Sequence, residues 1–221
     1  MEQTAKPSAE EQLLYIVIKY KKALIGALVV IVTLGAGAFF GTRYQEQREQ
    51  EAALQLSRVS PALEQGNFTL AINGTKQTAG LQKIANEYSG RFIGTPSGNM
   101  AKLLLANAWY SFGKYETALQ HFNEVTIAHE DLAAAALAGS GDCYLNLNKL
   151  KEAAEAYQKA ANKTDNRILK AQYLTHEATA YHYAKDFPKA TELYKTVIAS
   201  YPGTTAASIA QHGLWQLSGS L

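Results

Sequence analysis

Hydrophobic positions fall into two regimes along this 221-residue chain. From Ala23 to Phe40 they are unbroken: ALIGALVVIVTLGAGAFF runs for 18 residues without a charge. As a helix that run would be roughly 27 Å long, close to the thickness of a bilayer core. Lys19, Lys21 and Lys22 bracket it on one side and Arg43 on the other, while Tyr20, Phe39, Phe40 and Tyr44 suit the two interfaces. The pattern predicts a transmembrane helix. Ala36-Gly37-Ala38 could serve as a signal-peptidase site, but the 22-residue leader and the length of the run favour an uncleaved anchor. Ahead of the span, Pro7 and Ser8 precede a helix, and Leu13 to Ile18 reads as a segment at or entering the membrane surface.

Beyond Tyr44 the apolar residues are spaced at the helical period. Ala53, Leu54, Leu56, Val59 and Leu63 predict a helix running out of the membrane, with a bend at Pro61. Three segments then repeat one order of residue classes. Trp109, Tyr144 and Tyr181 come first; Gly113, Asn148 and Lys185 sit in a turn; Tyr115, Leu150 and Phe187 follow. Ala118, Ala153 and Ala190 come next, 35 and 37 residues apart, and Phe122, Tyr157 and Tyr194 close the unit. Gly66-Asn67-Phe68 and Ala71 echo the same turn, so Glu51 to Tyr88 reads as a degenerate first copy with an insertion near Ile72 to Gly80. Gly90 to Gly98 is a loop in which Thr95 caps the next helix and Pro96 takes its first position. Thr204 to Leu217, with Ile209, Leu214, Trp215 and Leu217, predicts a last amphipathic helix that closes the array.

This order resembles the tetratricopeptide repeat, in which a small residue (here Ala106, Gly141 and Ala178) precedes the aromatic, the alanine and a closing proline, Pro202. The resemblance implies pairs of antiparallel helices, with the alanine where helix B crosses helix A. Lys102 and Glu130 depart from the pattern, which has an apolar residue and a proline there. The fold class expected is therefore all-α: one N-terminal transmembrane helix followed by an α-solenoid. The organisation read from these signals is a cytoplasmic leader (1–22), the membrane helix (23–41), a linking helix with the degenerate repeat (42–98), three repeats (99–204) and a capping helix (205–221).

Composition changes this picture little. A net charge of +2, with Lys and Arg interspersed among Asp and Glu, gives no basic stripe for nucleic acid. Cys143 is the sole cysteine, which leaves no intrachain disulfide to form and reads as a small packing residue. No Gly-rich phosphate loop, HExxH, CxxC or GxSxG is present, and the histidines lack metal-ligand spacing. Neither catalytic nor metal-binding residues nor a cofactor are expected. Asn67, Asn73 and Asn162 each begin an N-x-T sequence that short polar loops produce by chance.

What a repeat array offers is a groove lined by its A helices. The repeat resemblance places Asn107, Tyr110, Asp142, Leu145, Asn146, Thr179, His182 and Tyr183 on it, together with Met100, Leu103, Ser111, Ala135, Ala138, Gln172 and Thr175. Amides, hydroxyls and aromatics suit an extended peptide or a neighbouring helix, and the lysines and arginines that clamp an acidic chaperone tail are missing. In the span, Thr33, Gly37 and Gly41 put small residues at every fourth position, which lets another membrane helix approach.

A short leader, one membrane helix ending in GAFFGTRY and a repeat domain beyond it together resemble the YfgM-like ancillary translocon family. The resemblance implies an envelope protein that binds the secretory translocon and periplasmic folding factors. The lysines at the N-terminal boundary, with Lys6, place the N-terminus in the cytoplasm and the repeats in the periplasm. The residues are equally compatible with a structural or assembly subunit of another membrane complex, respiratory or photosynthetic.

Overall fold

A computed structural model describes residues 8–90 and 94–219, with Glu11 described by its backbone alone. The start of the leader, including Lys6 and Pro7, the centre of the Gly90–Gly98 loop and the end of the capping segment lie outside the described residues. The described residues form helices and no strand; the one isolated bridge among them pairs Gly74 with Ala79. The chain divides into two units, Met1–Gln47 and Arg48–Leu221.

Helix α1 runs from Ala9 to Glu64 and passes through Pro61. It covers the leader segment, the apolar run and the linking segment without a break, because neither a glycine pair nor a proline interrupts it at the lysines or at Arg43. Its apolar stretch is long enough to cross a membrane and none of it is buried. Leu28, Ile31, Leu34 and Phe40 are all exposed.

In the second unit the remaining helices alternate with tight turns: α2 (Phe68–Asn73), α3 (Leu81–Tyr88), α4 (Pro96–Ser111), α5 (Tyr115–Asn123), α6 (Glu130–Asn146), α7 (Leu150–Lys163), α8 (Arg167–Tyr183), α9 (Phe187–Ser200) and α10 (Thr205–Gly219). Three hairpins, α4/α5, α6/α7 and α8/α9, carry the repeated residues. Each first helix ends in the same way: Gly113, Asn148 and Lys185 adopt left-handed φ of 71°, 57° and 61°. The next amide then reaches back to the carbonyl of Trp109, Tyr144 or Tyr181 at 3.0, 2.8 and 2.9 Å. This closure satisfies carbonyls that the helix end would leave unpaired. Gly66 repeats it at the end of α1, where Asn67 donates to the Ala62 carbonyl at 2.8 Å.

After that turn, the segment equivalent to a second helix is split into α2 and α3 by a loop that the Gly74–Ala79 bridge closes. Gly74 has φ 72°, and a Cβ there would strike the Thr78 carbonyl. Ala52, Val59 and Ala62 of α1 share one buried cluster with Ala71, Ile84, Tyr88 and Leu105. Arg48 donates to the Glu87 carbonyl and lies over the Tyr88 ring, and Glu49 accepts from the Ser97 amide and hydroxyl at the start of α4.

Ala118, Ala153 and Ala190 are fully buried where paired helices cross. Phe122, Tyr157 and Tyr194 fill the space beside them, and each serves two helices. The ring of Tyr157 sits against Gly141 of its own hairpin, where a Cβ would come within 2.7 Å, and edge-on to His176 of the next at 5.2 Å between centroids. Phe122 likewise occupies the space a side chain at Gly139 would need, and Tyr194 that of Gly213. One ring thus locks each hairpin to its successor. The two departures from the repeat pattern have local reasons. Lys102 is mostly buried along its stem and reaches Glu124 at 3.3 Å, and Glu130, with Asp131, places negative charge at the start of α6.

Candidate interaction face

Helix α4 touches α6, and α6 touches α8, whereas α5, α7 and α9 make no contact with one another among the described residues. The array therefore curves with its first helices on the inner side. Along that side a polar line crosses three helices. Asn146 of α6 donates one amide hydrogen to the Tyr110 hydroxyl of α4 at 3.0 Å and the other to the Asp142 carbonyl at 2.9 Å. Tyr157 donates its hydroxyl to Asp142 Oδ1 at 2.5 Å, and His176 Nδ1 of α8 lies 4.0 Å from the same oxygen.

Burial sets the electrostatics here. Desolvation raises the Asp142 carboxyl above its ordinary range, opposed by the Tyr157 hydrogen bond and by His176. Desolvation lowers His176, opposed by Asp142, whose Oδ1 lies 4.0 Å from Nδ1. Tyr110 is raised, by burial first and then by Asp142.

The expected groove residues separate into three groups. Tyr110, Asp142 and Asn146 are bonded to one another or to Tyr157, and Thr179 bonds the Thr175 carbonyl at 2.9 Å and the Tyr194 hydroxyl at 3.1 Å. Leu145 packs half-buried against the cluster of Ala153, Ala154 and Tyr157, while Leu103, Ala138 and Thr175 are buried. Open to solvent are Asn107, Ser111, Gln172 and Tyr183, the last 61% exposed. His182 lies between Tyr183 and Phe187, 6.1 and 6.0 Å from their rings, which makes an aromatic cluster at the end of α8. The sequence reading missed His176. No residue class marks its position, since Leu104 and Gly139 stand at the equivalent places; only its closeness to Thr175 on the groove side could have pointed to it.

On α1, Gly37 and Gly41 are exposed and a Cβ at either would meet nothing. Thr33 turns its hydroxyl back to the Val29 and Val30 carbonyls at 3.0 Å each, so its polar group is satisfied within the helix. Among the described residues no group of His, Cys, Asp and Glu is arranged to hold a metal ion. Burial pushes the Cys143 thiol up to about 12, which makes it unreactive.

Comparison with known proteins agrees with the architecture. Residues 18–140 match the family described as the tetratricopeptide repeat-like domain, over half of the chain and from within α1 to the middle of α6. No curated protein matches. Folds of this kind are protein-interaction scaffolds. With its hairpins stacked through shared rings and more than half its length matched, the chain belongs to the tetratricopeptide repeat-like domain family.

Proposed function

We propose that the protein is a membrane-anchored adaptor of the bacterial envelope, holding a protein or peptide partner on the inner face of its repeats and a membrane partner along α1. The observation that carries this reading is the fully exposed apolar stretch of α1 in the same chain as an interaction scaffold. Water does not tolerate a helix exposing Leu28, Ile31, Leu34 and Phe40 together, so the bilayer is its natural solvent. The lysines before the span favour a cytoplasmic N-terminus and periplasmic repeats. The resemblance to the YfgM-like family supports a role beside the secretory translocon and its folding factors.

The array is read as a degenerate repeat, three full repeats and a closing helix, without a catalytic residue or cofactor. Tyr183 and Asn107 are open contacts, with His182 against the Tyr183 ring, and the Tyr110–Asn146–Asp142 line lies on the same inner side. Aromatic side chains such as Tyr183 carry a large share of recognition energy.

Purification of the full chain in mild detergent, with its partners identified, tests the reading. Tyr183→Ala should reduce capture of the soluble partner, and Gly37→Ile with Gly41→Ile should reduce capture of the membrane partner. Retention of every partner by both variants would move recognition to other surfaces. Protease added to intact spheroplasts should digest the repeats; protection until lysis would reverse the orientation.

A further inference from the structure

The inner face holds one formal charge. Of the side chains placed on it, Asp142 of α6 is the sole Asp, Glu, Lys or Arg, and its equivalents on α4 and α8 are Asn107 and Thr179. The two carboxylate oxygens differ in their surroundings. Oδ1 accepts from Tyr157 and lies 4.0 Å from His176 Nδ1, whereas Oδ2 accepts nothing among the described residues and the side chain is 40% exposed. The tyrosine therefore fixes the carboxylate through one oxygen and leaves the other open.

The hydrogen bonds around Asp142 consume donors and leave acceptors. Asn146 gives both amide hydrogens, to the Tyr110 hydroxyl and to the Asp142 carbonyl, so what it still presents is its side-chain oxygen. Tyr157 has given its hydroxyl hydrogen to Asp142. No lysine or arginine among the described residues pairs with Asp142; besides Tyr157, the neighbour that favours its ionised form is His176. A carboxylate at this depth without a cation keeps part of the penalty of losing its water.

We infer that Asp142 and Asn146 seat an arginine side chain of the partner, between Tyr110 of α4 and His176 of α8. The inference rests on the reading that the partner lies along the inner face. A guanidinium brings donors and no acceptor, in a planar fork that a carboxylate oxygen and an amide oxygen can share, and it stacks on aromatic rings. An acidic side chain would meet two acceptors and a like charge. The chain as a whole carries +2, so a preference for arginine cannot come from its overall field. First helices packed about 8 to 10 Å apart match about three residues of extended peptide, which puts the arginine at the centre of a stretch of about seven.

Binding of labelled, end-blocked alanine–serine heptapeptides to the full chain in mild detergent, read by fluorescence anisotropy, tests this. The central residue is arginine, citrulline, which keeps the shape without the charge, or glutamate. The arginine peptide should bind about tenfold more tightly than the citrulline peptide, and the glutamate peptide least tightly. Asp142→Asn should remove that difference while keeping the helical signal, because asparagine can still accept from Tyr157. Asn107→Asp decides independently of how that variant folds: a carboxylate at the equivalent place on α4 should add a preference for a second arginine about three residues from the first. Arginine and citrulline peptides bound alike or not at all, a preference that survives Asp142→Asn or is lost equally in Glu155→Gln on the exposed side of α7, or no added preference in Asn107→Asp would each overturn the inference. If Tyr183→Ala lowers capture of the soluble partner while the arginine and citrulline peptides bind alike, the inner-face reading stands and the arginine seat falls.

Discussion

The Tyr157 hydroxyl and the Asp142 carboxylate, 15 residues apart in sequence, share a hydrogen bond that joins the two helices of the middle hairpin beneath the inner face. Tyr194 and Thr179 make the equivalent contact one repeat later, at 3.1 Å. In the first hairpin Phe122 has no hydroxyl to offer, and Asn107 at the matching place stands open. The inner face therefore carries an exposed amide at one end and bonded polar groups further along.

Replacing Tyr157 by Phe should keep the ring between Gly141 and His176 and remove the bond alone. A hydrogen bond to a charged acceptor contributes about 1.5 to 3 kcal/mol, and unfolding in urea should show a loss towards the lower end because Asp142 retains some solvent. The Asp142 carboxyl should move further up, since the hydroxyl is the larger of the two influences that lower it, ahead of His176, and a carboxyl titration by NMR reads that shift directly. No change in either measurement would detach the pair from the fold's stability.

Ala153 has no exposed surface and lies at the crossing of α6 and α7. Ala153→Leu should lower stability by about 1 to 3 kcal/mol through overpacking. Thermal melting of the variant at the parental temperature would mean that this crossing can open without cost.

Glu177 of α8 is 2% exposed, accepts from Gln158 of α7 at 3.2 Å, and its Oε2 lacks a hydrogen-bond partner. Burial raises its carboxyl from 4.5 to about 7, with the Gln158 bond opposing. The folded state then holds a proton that the unfolded state releases, so this group's contribution is present in full below pH 4.5 and is lost as pH rises towards 7. Glu177→Gln should therefore stabilise the domain at pH 8, by on the order of 3 kcal/mol, and change little at pH 4. Comparing the two proteins at each pH removes the opposing effect of His176, whose depressed value favours higher pH. A difference that stays constant across the range would contradict the assignment.

Lys185 holds a left-handed φ of 61° in the turn where the first hairpin uses Gly113. Lys185→Gly should relieve about 1 kcal/mol of backbone strain, offset in part by the freedom glycine gains in the unfolded chain. A small rise in urea midpoint is expected; a fall would show that the lysine side chain holds the turn in another way.

The hairpins were legible because their marks are local and ordered: an aromatic, a turn, an alanine and a second aromatic recur with near-constant spacing. The left-handed turn at Lys185 was legible only by analogy with Gly113 and Asn148, since lysine has no preference for it. The inner face was harder to read. Whether Asp142 faces a partner or Tyr157 depends on a contact across the hairpin that residue class does not encode, and Leu145 turned to the core for the same kind of reason. The extent of α1 was hidden because the charges at Lys19 and Arg43 break the apolar pattern, whereas a helix stops only where its backbone is interrupted.

Helix α10 rests on α8 and α9 and on nothing beyond them among the described residues, whereas the opposite end of the second unit is held by Glu49 at Ser97 and by Arg48 at Glu87. In a stack whose units feel only their neighbours, that difference gives fluctuations a direction. Amide hydrogens should exchange soonest in α10, later in α8 and α9, and slowest in α6 and α7, where rings from both sides are seated. The same gradient makes the C-terminal helix the part of the array that a bound partner can most readily quieten.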